Sequence, residues 1–190
     1  IDLRYSMKLS KIIFTVLFLV ISCSQKKEKV NKPQTLVEEL NILPGNYIAD
    51  VEATKLTWVG RKISSGHDGT IDLKDGSLNI GDDGQINGKF NIDMSSISVS
   101  DLQGGGKKSL ESHLKNEDFF DVAHFSRATL KILDNSPLES NDNNYNNLFK
   151  AEITIKWITK LIEFPVEVKF TEDKAIAIGK IMIDRTSFSY

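Results

Sequence analysis

Ile86-Asn87-Gly88-Lys89-Phe90-Asn91-Ile92-Asp93-Met94, written INGKFNIDM, alternates apolar or small residues with polar ones along its whole length. Successive side chains of a strand point to opposite faces, so a period of two places Ile86, Phe90, Ile92 and Met94 on one face and Asn87, Lys89, Asn91 and Asp93 on the other. The pattern repeats in both directions. Leu56 and Trp58 flank Thr57, and Ile71 and Leu73 bracket Asp72. Further on, Ala128, Leu130 and Ile132 alternate, as do Ala151, Ile153, Ile155 and Trp157 against Glu152, Thr154 and Lys156. Ile162, Phe164, Val166, Val168 and Phe170 follow, with Glu163, Glu167 and Lys169 turned outward. Turn residues stand between the runs, at Asp75-Gly76, at Gly81 to Gly84 and in the Asn-rich stretch from Ser140 to Asn147. These features predict a mainly β protein, a meandering antiparallel sheet with one wet and one apolar face, most economically closed as a barrel. The facing of Ala175, Ala177 and Gly179 against Ile176 and Ile178 stays open.

One segment breaks the period. In SLESHLKNEDFFDVAHF, Ser109 to Phe125, the residues Leu110, His113 and Leu114 fall at helical spacing, which predicts a short amphipathic helix over 107–116. Gly104, Gly105 and Gly106 precede it as a hinge. Glu111, Lys115 and Glu117 lie off the stripe and read as solvated, while Phe119, Phe120 and Phe125 read as a plug where the chain re-enters the sheet. The expectation is a lid of Leu110, His113, Leu114, Phe119, Phe120 and Phe125 that controls access.

The beginning of the chain is of another kind. From Met7, two lysines precede an apolar run from Ile12 to Ile21, too short for a membrane-spanning helix, which needs about twenty residues. Val20-Ile21-Ser22-Cys23 is similar to the bacterial lipobox, in which the chain is cut before a cysteine that then carries lipid. Cys23 is the single cysteine of the sequence, so no disulfide can form within the chain. The division expected is residues 1–22 as upstream residues and signal peptide, 23–45 as a lipid-anchored flexible tether, and 46–190 as the barrel domain. The location expected is that of an exported bacterial lipoprotein on the periplasmic side of a membrane, with the outer membrane favoured. Past residue 22 the net charge is about −4, which gives nucleic acid no basic surface to bind.

Catalytic and metal motifs are sparse. The sequence has no G-x-S-x-G elbow, phosphate-cradling glycine loop or C-x-x-C pair. His67, His113 and His124 come from a loop, the helix and a strand start, without the close spacing of metal ligands on one element. Glu117, Asp118 and Asp121 lack the alternating acids and central glycine of a calcium loop, and read as turn-capping residues. Asp184-Arg185 reads as an ion pair or a contact to a ligand head group. No metal, cofactor or catalytic residue is expected.

Four stretches carry a family resemblance: GHDGTIDLKDGSL (66–78), GKFNIDMSSISVSDL (88–102), LESHLKNEDFFDVAHF (110–125) and IMIDRTSF (181–188). Together they resemble the bacterial YceI-like, polyisoprenoid-binding proteins, here as a lipoprotein member. The resemblance implies a lipocalin-like eight-stranded antiparallel barrel with a short helix at one end, holding a long isoprenoid chain such as a quinone tail. Members of that family continue past the stretch matching Asp184-Arg185-Thr186, so the expectation is a fragment whose barrel is incomplete at its C-terminal edge.

The lining expected is Trp58, Phe90, Ile92, Met94, Ile153, Ile155, Trp157, Phe164, Val166 and Val168. Burial of twenty or so lipid carbons returns about 16 kcal/mol gross at about 0.8 per methylene, against an association cost of about 4–15 kcal/mol, so apolar contact alone can hold such a chain. The function expected is binding, storage or transport of an isoprenoid or quinone-like lipid in the cell envelope, without chemistry of its own. Two other readings stay open: an envelope enzyme acting on such a lipid, and a stress-related envelope protein acting through protein partners. Oligomeric state and ligand identity are not legible.

Overall fold

The computed structural model describes residues 44–61, 65–138, 144–171 and 174–188, and the backbone of 13–16 and 20–24. The elements are β1 (Ile13–Val16), β2 (Val20–Ser24), β3 (Gly45–Arg61), β4 (Gly66–Ile80), β5 (Ile86–Val99), α1 (Gly104–Lys115), β6 (Arg127–Pro137), β7 (Asn147–Ile155), β8 (Ile158–Phe170), β9 (Lys174–Gly179) and β10 (Ile181–Asp184), then a 3-10 turn, Arg185–Phe188. From β3 to β9 each strand pairs antiparallel with the next. Alternation in the sequence becomes alternation in burial: Phe149, Ala151, Ile153 and Ile155 of β7 point inward, as do Phe164, Val166 and Val168 of β8.

Closure comes from the start of the chain. β2 lies between β9 and β3, pairing Cys23 with Ala175 on one side and Ala49 on the other, and β1 lies between β10 and β3. With β9 and β10 as one interrupted stave and β1 and β2 as another, the described residues form an antiparallel barrel of eight positions. Residues 13–16 and 20–21 of the apolar run that reads as an export signal thus stand in the seam where the sequence predicts an open edge. Most of the expected tether, and residues 1–12 and 17–19, lie outside the described residues.

Irregularities bend the strands. β3 slips register between Ile48 and Leu56, where the Asp50 carboxylate accepts from the amides of Glu52 (3.1 Å) and Ala53 (3.0 Å). Such bulges increase local twist and help a sheet curl. Asp75-Gly76 also belongs to a slip and not to the predicted turn: β4 runs through it, with a register shift between Leu73 and Asp75. Glycine is needed there because a Cβ on Gly76 would strike the Phe90 ring. Inward-facing Ala175, Ala177 and Gly179 resolve the ambiguity of β9, with Ile176 and Ile178 partly exposed.

At one end of the barrel, that of the β4–β5 hairpin, amides close the structure. The Ile86 amide donates to Asn135 Oδ1 (2.7 Å), Asn135 Nδ2 donates to Asn147 Oδ1 (2.9 Å), and Asn147 Nδ2 donates to Asn146 Oδ1 (3.0 Å). Asn146 in turn exchanges bonds with the Val168 backbone. α1 lies at the other end.

Candidate ligand-binding site

The lumen near α1 contains a cavity of about 70 Å³. Trp58, Ile92, Met94, Ile153 and Ile155 line it, as the sequence predicts, but so do residues that alternation did not single out. Ile97 enters because β5 is offset at Ser95-Ser96, where Asp93 accepts from the Ser95 amide and so resets which side chains face inward. Ile181 and Ile183 of β10, Arg185, Phe188 and Lys156 complete the mouth. Trp58 is fixed by its indole N–H, shared between the carbonyls of Thr70 (3.2 Å) and Ser98 (3.1 Å), which satisfies the one polar group of a buried ring.

The remaining predicted lining residues lie elsewhere. Phe90, Phe164 and Val166 border a smaller void of about 20 Å³ deeper in the barrel. Val168 is buried but borders neither space. Trp157 corrects the sequence reading outright: it is 79% exposed. Lys156 and Trp157, with φ of 50° and 63°, form the two-residue turn between β7 and β8. Positive φ at both central positions is the hairpin geometry that follows sheet twist, and it takes Trp157 out of the strand alternation. Its ring instead meets Phe125 edge-on, with centroids 6.2 Å apart.

The lid region also differs in detail. Gly104 to Gly106 form the first turn of α1 and not a hinge before it; Gly104, at φ +58°, occupies a backbone region that favours glycine. Leu114 is buried, Leu110 packs against the core and His113 is exposed, with its ring 5.5 Å from that of Phe119. This ring contact takes the place of the packed histidine expected. Phe119 and Phe120 are buried and meet edge-on at 4.7 Å, whereas Phe125 is half-buried.

Glu111 is not on a wet face. Its Oε1 accepts from the Val99 amide (2.9 Å) and the Ser98 hydroxyl (3.0 Å), with Lys107 Nζ at 3.6 Å, so it pins α1 to the end of β5. The Val99 amide holds its pKa below the ordinary glutamate value, against partial burial and with help from Ser98 and Lys107.

Beyond Phe119 a second space of about 200 Å³ opens toward solvent, bordered by Trp58, His67, Leu110, His113, Asp118 and Arg185 among others. His67 Nδ1 donates to Asp101 Oδ2 at 2.8 Å. Partial burial pushes the Asp101 carboxyl up, but bonds from His67 and the Asp68 amide prevail and leave its pKa below the usual aspartate value. Arg185 places its guanidinium carbon 4.4 Å from the Phe119 centroid and borders both spaces. His124 stands apart, bonded to Asp121 at 2.8 Å in the turn after α1. Among the described residues no three His, Cys, Asp or Glu side chains gather as metal ligands would.

Comparison with known proteins places the chain. A family model described as the YceI-like domain matches residues 47–190. The comparison with curated proteins returned no match. Among solved structures, a crystal structure of a mutant CJ YceI protein with a monobromobimane guest aligns at 15% identity, covering 86% of this chain and 84% of its own, with a TM-score of 0.40.

Proposed function

Because the chain belongs to the YceI-like family, we propose that its barrel binds, stores or carries one long-chain isoprenoid or similar amphiphile in the bacterial envelope, without transforming it. The observation that carries this reading is the lining of the upper lumen, apolar throughout except at its mouth, where Lys156 and Arg185 stand. The free space of about 70 Å³ is well below the roughly 300–1,000 Å³ of pockets that enclose drug-sized ligands. A long chain therefore enters by displacing side chains, and Phe119 and Phe120 at the mouth are the ones that move. Export and a lipid anchor at Cys23 complete the proposal, supported by the lipobox-like residues 20–23.

The test is mass spectrometry of lipid retained by the full-length protein purified from bacterial membranes. The parent is expected to carry a hydrophobic chain and Ile155→Asp to lose it, since a carboxylate in an apolar cavity must be desolvated or neutralised. Chemical turnover of the lipid, lost on replacing His67 or His113 with binding kept, would establish the enzyme reading instead. In the same cells Cys23→Ser is expected to abolish fatty-acid labelling and free the protein from the membrane fraction; persistent labelling removes the anchor from the proposal.

A further inference from the structure

The lumen explains how an apolar chain is held but gives no use to the polar space outside Phe119. Arg185 is the residue that joins the two. It follows β10 at the start of the 3-10 turn, and its Nε is buried with no hydrogen-bond partner among the described residues. None of the ion pairs among the described residues involves it, and its cation rests on the Phe119 ring. A buried donor on a charged group is costly unless it is satisfied. Its position is the boundary that an amphiphile crosses when its chain lies in the lumen and its head does not.

Resting on the carrier reading above, we propose that the outer space is a head-group site for an oxyanion, a phosphate or carboxylate borne on the end of the apolar chain. Arg185 is its principal donor, through a charge-assisted bond of the kind guanidinium groups make with such oxygens. His67 and His113 border the same space, and the Nδ1 bond to Asp101 fixes the His67 ring with Nε2 left over. Lys156 adds a second cation at the lumen mouth. Asp118, exposed on the rim, is the opposing charge, and being exposed it is screened by solvent. Phe119 is then more than a stopper: its face holds the Arg185 cation, and its displacement by an entering chain frees the guanidinium to meet the head.

The test measures binding of two probes with one chain, geranylgeraniol and geranylgeranyl monophosphate, to the full-length protein. The parent is expected to prefer the phosphate by about ten- to a hundredfold, the range of a charge-assisted bond. Arg185→Gln is expected to erase the preference and Arg185→Lys to restore part of it, with continued binding of the alcohol by both variants showing that the barrel is intact. Equal affinity of the parent for both probes overturns the head-group site while leaving the carrier reading standing, and it requires no variant. Failure of both probes to bind overturns both. Inorganic phosphate that competes as well as the phosphorylated chain would show an anion site independent of the lumen, also overturning the proposal.

Discussion

The two ends of the barrel are made from the same strands and solve opposite problems. At the end of the β4–β5 hairpin, Asn135, Asn146 and Asn147 satisfy one another and the nearby backbone, and Asn147 is only 4% exposed. Below them Phe149 and Phe164 meet edge-on at 6.0 Å, leaving about 20 Å³ free. At the α1 end the aromatic pair Phe119 and Phe120 stands between two larger spaces, next to a guanidinium with an unsatisfied nitrogen. Buried polar groups paired with one another stabilise a closed structure, whereas one left for a later partner favours binding. The difference teaches that stability and access are divided along the barrel axis.

The strongest way to break this comparison is to truncate one aromatic at each end. Phe164→Ala and Phe120→Ala should each cost about 3–5 kcal/mol of stability, measured by denaturant unfolding. Only Phe120→Ala should also speed release of a bound fluorescent isoprenoid. Equal acceleration by both would show that the ends are not functionally distinct.

A smaller effect sharpens the account of the α1 end. Glu111→Gln should loosen the helix, read as faster amide exchange in Gly104–Lys115, without disturbing the Asn-sealed end. The same anchor makes the helix acid-sensitive. With the folded pKa of Glu111 depressed, the unfolded chain takes up the proton first as pH falls. The stability it contributes is therefore present above the ordinary glutamate range and lost as pH drops through the lower, folded value. Acid titration of α1 exchange in the parent should show this loss, and Glu111→Gln should flatten it.

The smallest effect expected is that of Trp157→Ala. Its ring is exposed and meets Phe125 edge-on, so the change should cost no more than about 1 kcal/mol and leave ligand retention as it was. A large loss of retention would return Trp157 to the lumen.

Trp157 also marks what the sequence can and cannot reveal. Strand alternation was legible because burial follows the period of two directly, and Ile86 to Met94 or Ile162 to Phe170 lie much as their patterns require. Lys156-Trp157 hid its turn because it lacks the asparagine-glycine chemistry by which such turns are read. Asp75-Gly76 carries that chemistry and is no turn, since the Phe90 ring supplies the demand for glycine. Glu111 lies off the apolar stripe, and periodicity registers where a side chain points but not which backbone amide its carboxylate reaches. The family motifs named the barrel and its helix; Arg185 stood in one of them, but its place over Phe119 depends on two elements far apart in the chain.

The seam gives the barrel a history. Residues 13–16 and 20–24 hold their places by backbone pairing on both sides, Cys23 among them. On the proposed processing, an enzyme that gripped this stretch in extended form, to cut it or to modify Cys23, would compete with β3 and β9 for the same amides. It would have to act before the ring shuts, or wait for the ring to reopen. A cut before Cys23 would remove residues 13–16 and 20–22 from the seam and leave much of the β3 and β9 edges unpaired. If the proposed processing takes place, its timing relative to closure would decide whether this stretch or another strand fills the seam.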